Sequence, residues 1–199
     1  MTNLTTYINE WNLNNNSIHN VGYKYNYFPE SPEELRELVA ERLEKNTESP
    51  YLLDIDTSKI TDFTDLFSGY ENDYLSKTYK IDCWQIKTLN LLSWNTSNVT
   101  TMYGTFCYLP ELRTLNIINF DTHNVTDMSM MFCDCKKLKE LYINFNTCKV
   151  EEMRYMFDNC RSLKEVKNIE KWDISNVVRT DDIFRHCSLL NIPSWYENR

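Results

Sequence analysis

Hydrophobic residues recur along the chain in units of about 25 residues. Units begin at Trp94, Phe120, Phe145 and Trp172, at offsets of 26, 25 and 27 residues, and a diverged copy begins earlier at Ile55. Repetition at a fixed period of this length is typical of proteins that stack small structural units. The pattern therefore predicts a repeat architecture.

Within a unit, apolar residues stand at constant offsets from the first residue. One unit has Val125 at offset five, Met128 at offset eight and Phe132 at offset twelve. The spacing i, i+3, i+7 predicts one apolar stripe on a short helix. An alternating run after the next leucine predicts a short strand. The predicted N-caps of the short helices are Thr61, Thr100 and Thr126.

A unit of one short helix and one strand is too small to bury its own apolar side, so copies must stack. We predict an α/β solenoid: a leucine-rich-repeat-like stack of about five strand-plus-short-helix repeats with an N-terminal capping helix. The predicted regions are an N-terminal extension and capping helix over 1–54, the solenoid over 55–190 with an insertion near 68–83, and a C-terminal cap over 191–199.

Three cysteines stand at a repeat position that indicates a structural role. Cys135, Cys160 and Cys187 occupy one position of the unit, where Leu109 stands in an earlier copy, so cysteine serves there as a small hydrophobic residue. Zinc is the alternative, but its usual C-x₂₋₄-C spacing differs from the single residue between Cys133 and Cys135. We expect no metal and no cofactor.

The polar residues of the units carry a family resemblance. The segments WNTSNVTTMYGTF, FDTHNVTDMSMMFCDCKKLKEL and WDISNV resemble the BspA-like leucine-rich repeats of bacterial surface proteins and mycoplasma lipoproteins. The resemblance covers about residues 30 to 190. It implies a leucine-rich-repeat-like solenoid that binds other macromolecules without catalysis.

Acidic residues are concentrated near the N-terminus. Residues 30–73 contain 13 acids and four bases, a net charge of −9, within a chain whose total is −8. This distribution argues against direct nucleic-acid binding, which needs clustered basic residues. It permits electrostatic steering toward a protein partner with a basic surface. No apolar run is long enough for a signal peptide or a membrane span, so we expect a cytoplasmic protein that contacts no membrane.

The chain offers few signs of catalysis. Its three glycines form no phosphate-binding loop, and the H-E-x-x-H and G-x-S-x-G motifs are missing. His186 precedes Cys187 directly, and adjacent residues of a helix point apart, although a Cys-His pair assembled in space stays open. We predict that the protein is not an enzyme.

Three surfaces are candidate binding sites. The alternating strand positions face outward and form the sheet face, with Tyr142 as the predicted hot spot: Asn90, Asn116, Glu140, Tyr142, Asn144 and Lys167. The insertion contributes Tyr70, Tyr74 and Tyr79, which equally could pack on the scaffold. The acidic end contributes Glu33, Glu37 and Glu41, which equally could be a solvated helix face.

These surfaces support two functional hypotheses. The first is a non-catalytic protein-binding module, a monomer or weak oligomer, that uses the sheet face and the tyrosine-rich insertion. The alternative is an acidic inhibitor or decoy, of phage or mobile-element type, that blocks a nucleic-acid-binding effector such as a defence nuclease.

Overall fold

The computed structural model describes residues 23–70, 74–79 and 81–197. Its helices and strands within these ranges are α1 (Pro32–Lys45), α2 (Tyr74–Tyr79), β1 (Thr88–Asn90), β2 (Thr114–Asn116), β3 (Glu140–Leu141), β4 (Glu165–Val166) and α3 (Ser194–Glu197). Short 3₁₀ helices precede β1 (Cys83–Gln85) and follow β4 (Ile169–Lys171). Strand β1 pairs with β2, and β3 with β4, both in parallel.

Successive units lie side by side and in register. Parallel bridges link equivalent residues of neighbouring units: Asp62, Thr101, Asp127, Glu152 and Arg179. Alternate N–H groups after each bridge also donate to the next unit. The amides of Met102 and Gly104, for example, donate to the carbonyls of Asp127 and Ser129 at 2.9 Å. Main-chain hydrogen bonds between units therefore hold this face of the stack together.

The short helices predicted within the repeats are wrong, because this part of each unit is a series of turns. The amides of Thr105 and Cys107 donate to carbonyls three residues back, and the amide of Phe106 between them donates to the next unit. Each unit also has left-handed residues, such as Met130 at φ 57° and Asp134 at φ 61°, which interrupt a right-handed helix. Successive turns direct every third or fourth residue inward, as a helix does, but they do not form the i to i−4 hydrogen bonds of a helix.

The predicted N-caps are consequently corrected as well. The hydroxyls of Thr100 and Thr126 donate to the carbonyls of Thr61 and Thr100 in the preceding unit, at 3.1 and 3.2 Å. These threonines tie units together instead of starting helices.

The predicted sheet of about five strands is also different in the structure. Within the described residues it consists of two separate strand pairs. The last unit has Pro193 at the position that Val166 occupies in β4, and proline has no N–H to donate to a neighbouring strand. The final unit therefore does not form a fifth strand.

A column of stacked aromatic rings fills the core. Phe67, Phe106, Phe132, Phe157 and Phe184 have successive centroid distances of 5.7, 5.7, 5.2 and 5.7 Å and nearly parallel planes. The phenylalanines are buried. Burial of rings of this size contributes most of the apolar stabilisation of such a core.

Buried threonines supply a polar counterpart to the aromatic column. The hydroxyls of Thr96, Thr122 and Thr147 each donate to a carbonyl of the next unit at 2.8 to 2.9 Å. The Asp or Asn before each threonine accepts a hydrogen bond from an amide two residues on, as Asp121 does from His123. The polar residues of the repeated motif are thus engaged in the architecture.

The two ends of the stack are covered. Ser31 caps α1 by accepting from the amide of Glu34 at 3.2 Å, and Leu35, Val39 and Leu43 of this helix are fully buried. At the other end, Trp195 stacks on Trp172 with a centroid distance of 6.1 Å. Both ends therefore shield apolar residues of the units beneath them.

Candidate functional site

The outward side chains of β3 and β4 form a closely connected polar cluster. The hydroxyl of Tyr142 donates to Glu140 at 3.0 Å. Lys167 pairs with Glu165, and its Nζ lies 6.0 Å from the centre of the Tyr142 ring. Four side chains of this sheet face are therefore engaged with one another.

The other predicted residues of the sheet face are less connected. Asn90 of β1 and Asn116 of β2 are partners in the strand register and are half-buried. Asn144 is exposed beyond β3. The structure thus brings the predicted sheet-face residues together as two small groups, one on each strand pair.

The insertion begins and ends at the same place. A Cβ atom on Gly69 would lie 2.0 Å from the carbonyl oxygen of Tyr108 and 3.1 Å from the amide nitrogen of Trp84. Glycine is therefore needed for this close approach. The Tyr70 ring lies 5.2 Å from the Tyr108 ring, and Tyr70 and Trp84 are 50% and 46% exposed. We call Tyr70, Trp84 and Tyr108 the aromatic edge.

The other two predicted insertion residues delimit α2. The backbone of Tyr74 and Tyr79 is helical, but their side chains lie outside the described part of the chain. Of the predicted insertion residues, Tyr70 is therefore the one whose surroundings the structure defines.

A cleft of about 410 Å³ lies beside the aromatic edge. Its walls include Asp65, Tyr70, Tyr103, Tyr108 and Met130. The hydroxyl of Tyr103 donates to the sulfur of Met130 at 3.2 Å. Burial raises the pKa of Asp65, and the charge of Arg36 opposes this rise. The cleft thus combines a carboxylate with three tyrosines.

The acidic end forms a shallow groove against α1. Phe28 is 61% exposed and lines this groove together with Leu38, Glu37 and Glu41. Glu41 pairs with Lys45, whereas Glu37 has no ion-pair partner among the described residues. The groove therefore combines apolar side chains with an acidic rim.

Glu33, the remaining predicted acidic residue, lies apart from the groove. Its carboxylate is 3.7 Å from the guanidinium of Arg36, a buried residue of the same helix that donates to the carbonyl of Thr64. Glu33 therefore contributes to the charge of α1 while the groove is lined by its neighbours.

A polar pocket of about 400 Å³ is lined by residues of the first units. Its polar groups are already used in turns: Asp56 accepts from the amide of Ser58, and Asn95 accepts from the amide of Ser97. This pocket is accordingly a weaker candidate than the cleft.

The buried cysteines are hydrogen-bond donors within the core. The thiols of Cys135, Cys160 and Cys187 donate to the carbonyls of Phe106, Phe132 and Phe157 at 3.1, 3.0 and 2.9 Å. Their predicted role as simple hydrophobic residues is thus incomplete. Burial raises the pKa of all three thiols, that of Cys187 to about 11. A thiol that stays protonated is a poor nucleophile.

In residues 23–70, 74–79 and 81–197, no group of three or more His, Cys, Asp or Glu side chains could hold a metal ion. In the same residues, no helix has the length and apolar character needed to cross a membrane.

Sequence reasoning missed Asp65, Tyr103, Tyr108 and Trp84. One signal was available: Gly104 occupies a unit position that holds Met130 and Tyr155 in later units. A missing side chain at a repeated outward position indicates a local gap in the surface.

Comparison with known families gives one assignment. The family model described as "Mycoplasma protein of unknown function, DUF285" matches residues 73–195, more than half of the chain. No curated protein matches the sequence. The match agrees with the mycoplasma side of the resemblance seen in the repeats, and the chain belongs to this mycoplasma family of unknown function.

Proposed function

We propose that this chain is a non-catalytic protein-binding module whose main contact is the aromatic edge. The observation that carries the proposal is that Tyr70, whose ring contacts Tyr108, and Trp84, whose backbone nitrogen lies beside Gly69, are both about half exposed at the two ends of the insertion. Large amphipathic aromatic residues are enriched at the energetic centres of protein interfaces. The stacked core beneath them provides a rigid base.

The sheet face is a natural extension of this surface. Trp84 lies four residues before Thr88, the first residue of β1, so a partner on the aromatic edge can reach Asn90 and Asn116. Tyr142 and Lys167 lie two strands further on and are engaged with each other. We therefore expect them to contribute less binding energy than the aromatic edge.

The resemblance to BspA-like leucine-rich repeats supports the same proposal. We infer a leucine-rich-repeat-like solenoid in which each turn series takes the place of a helix. Parallel bridges and ring stacking at the repeat period are the contacts that favour this inference. Stacked repeats typically present an extended surface for macromolecular partners.

Affinity capture from a native host lysate tests the proposal. The bait proteins are the unchanged chain, the double variant Tyr70→Ala/Trp84→Ala, and Leu189→Ala as a control. Leu189 is a similarly exposed apolar residue of the last unit. We expect a partner, identified by mass spectrometry, that the double variant loses and the control keeps. Equal capture by all three would refute the aromatic edge as the contact.

The second candidate function is the acidic inhibitor or decoy. The groove formed by Phe28, Leu38, Glu37 and Glu41 favours it, because an apolar contact with an acidic rim suits a basic partner. Such binding should weaken sharply between about 50 and 500 mM salt. Charge reversal by Glu37→Lys/Glu41→Lys should abolish capture, whereas the aromatic-edge variant should leave it unchanged.

A further inference from the structure

A row of outward turn positions is interrupted at one residue. Asp65, Gly104, Met130, Tyr155 and Asp182 occupy equivalent positions and share left-handed backbone, with φ between 52° and 57°. The amide of each of the first four donates to the residue that precedes the next member of the row. Gly104 has no side chain, so a gap separates Asp65 from Met130.

The carboxylate of Asp65 lies across this gap. A Cβ atom on residue 104 would be 2.1 Å from its Oδ1, so the carboxylate can take this position only because residue 104 is glycine. Among the described residues, the Asp65 carboxylate makes no hydrogen bond or close ion pair, and the charge of Arg36 acts on it without direct contact. By contrast, Asp158, another carboxylate of the turn face, binds the Arg185 guanidinium at 2.6 Å.

Three tyrosines line the cleft together with the Asp65 carboxylate. Tyr70 and Tyr108 contact each other at one side of the cleft, and Tyr103 contacts Met130. The faces of aromatic rings carry negative electrostatic potential and attract cations within about 6 Å. A half-buried carboxylate without a partner adds to this potential and has unused acceptor capacity.

We propose that this cleft binds a cationic side chain of the partner protein, with arginine the best fit. The inference rests on the proposed protein-binding function and deepens it by naming the chemistry of the contact. A guanidinium is planar and weakly hydrated, and it can stack on a tyrosine while donating to a carboxylate. Lysine supplies the charge without the planar donor set and should bind more weakly.

Nuclear magnetic resonance with isolated side-chain analogues tests the cleft without a known partner. The protein carries ¹³C-methyl methionine, and the Met130 resonance is assigned with the Met130→Leu variant. Titrants are the Nα-acetyl methylamides of arginine, lysine and citrulline, the last being a neutral isostere of arginine. We expect a saturable Met130 shift with arginine, a Kd on the order of 1 mM, weaker binding of lysine and no binding of citrulline.

Three variants assign the effect to the residues named. Asp65→Asn keeps the shape of the side chain and should weaken arginine binding about fivefold. Gly104→Ala should abolish the shift by displacing the carboxylate. Asp182→Asn is the matched control, because Asp182 belongs to the same row at the far end, and it should have no effect. Urea unfolding of each variant checks that the fold is retained.

The outcomes separate this inference from the proposed function. Equal binding of arginine and citrulline, or unchanged arginine binding by folded Asp65→Asn, would overturn the cationic cleft. Arginine binding without any partner captured through the aromatic edge would leave the cleft standing while the protein-binding function fails. If Tyr70→Ala/Trp84→Ala lost the partner but Asp65→Asn kept it, the protein-binding function would be supported. The arginine contact in the cleft would be excluded.

Discussion

The three units that begin at Phe120, Phe145 and Trp172 differ from the two earlier units in the residue at the outward, left-handed turn position. In the later units, Met130, Tyr155 and Asp182 place a side chain at the left-handed position of each turn series. In the earlier units this position holds Asp65 and Gly104, and the insertion begins nearby. The inward residues are almost the same in both regions.

The comparison separates architecture from candidate function. The ring column and the threonine hydrogen bonds continue through both regions, so the same inward contacts hold the units on either side of the cleft. The outward residues change where the cleft and the aromatic edge occur. A repeat scaffold can thus alter one outward position while its inward contacts keep the fold.

The largest expected difference concerns the ring column. Phe132 is fully buried between Phe106 and Phe157, so Phe132→Ala should lower the free energy of unfolding by about 3–5 kcal/mol. Tyr70→Ala, on the aromatic edge, should change it by about 0.5 kcal/mol or less. Urea denaturation of both variants measures the two values.

Introducing a charge extends this test. Phe132→Asp and Met128→Asp place a carboxylate in the same buried core and should prevent folding. If Tyr70→Ala destabilised the protein as much as Phe132→Ala, the aromatic edge would be part of the core, and the distinction between the two regions would be lost.

The threonine hydrogen bonds should have an intermediate effect. The Thr122 hydroxyl donates to the carbonyl of Asn146 and accepts from its amide, at 2.9 and 2.8 Å. Thr122→Val keeps the shape but leaves both backbone groups without this partner, and should cost about 1–3 kcal/mol. Thr126→Val removes a hydroxyl from an exposed position and serves as the control.

The control should cost clearly less than Thr122→Val, because water can replace an exposed hydroxyl. Equal losses in urea denaturation would indicate that burial does not decide the strength of these contacts. The threonines of the motif would then be no more important inside the stack than on its surface.

The apolar positions, the N-cap of α1 and the equivalence of the units could be deduced from sequence. These features depend on local spacing: the Val125, Met128 and Phe132 pattern specifies which side faces inward, and Ser31 with Glu34 is a local cap signature. Local spacing could not distinguish a helix from successive turns, because both place every third or fourth residue inward. The left-handed residues that decide between them include Met130 and Tyr155, which have no preference for this backbone.

The cleft was beyond sequence reasoning for a related reason. Tyr103 and Tyr108 come from one unit and Tyr70 from the insertion, and their proximity follows from hydrogen bonds between turns that the helix prediction did not include. The strand residues were accessible because alternation alone specifies their outward direction. Gly104 alone signalled a change at the cleft.

Two carboxylates give opposite expectations for pH. Burial of Asp158 would raise its pKa, but hydrogen bonds from Arg185 and His186 and their charges outweigh this and lower it. Asp158→Asn should therefore cost about 1–2 kcal/mol at neutral pH. The stabilisation by Asp158 is present above its unfolded pKa and is lost as pH falls through the lower folded value. Urea unfolding between pH 3 and 7 measures this loss, and a pH-independent cost of Asp158→Asn would contradict it.

Asp65 should show the smallest effect, with the opposite sign. Burial raises its pKa, so the folded state binds the proton more tightly than the unfolded state does. Its contribution is most favourable below the unfolded pKa and declines as pH rises through the folded pKa. Asp65→Asn should thus slightly increase the free energy of unfolding at pH 7 and lose this advantage near pH 3.

Urea unfolding measures this change, and Asp182→Asn, which breaks an ion pair with Arg185, serves as the control. A loss of stability in Asp65→Asn at pH 7 would mean that the carboxylate supports the fold, whereas a gain would fit a group retained for binding despite its cost.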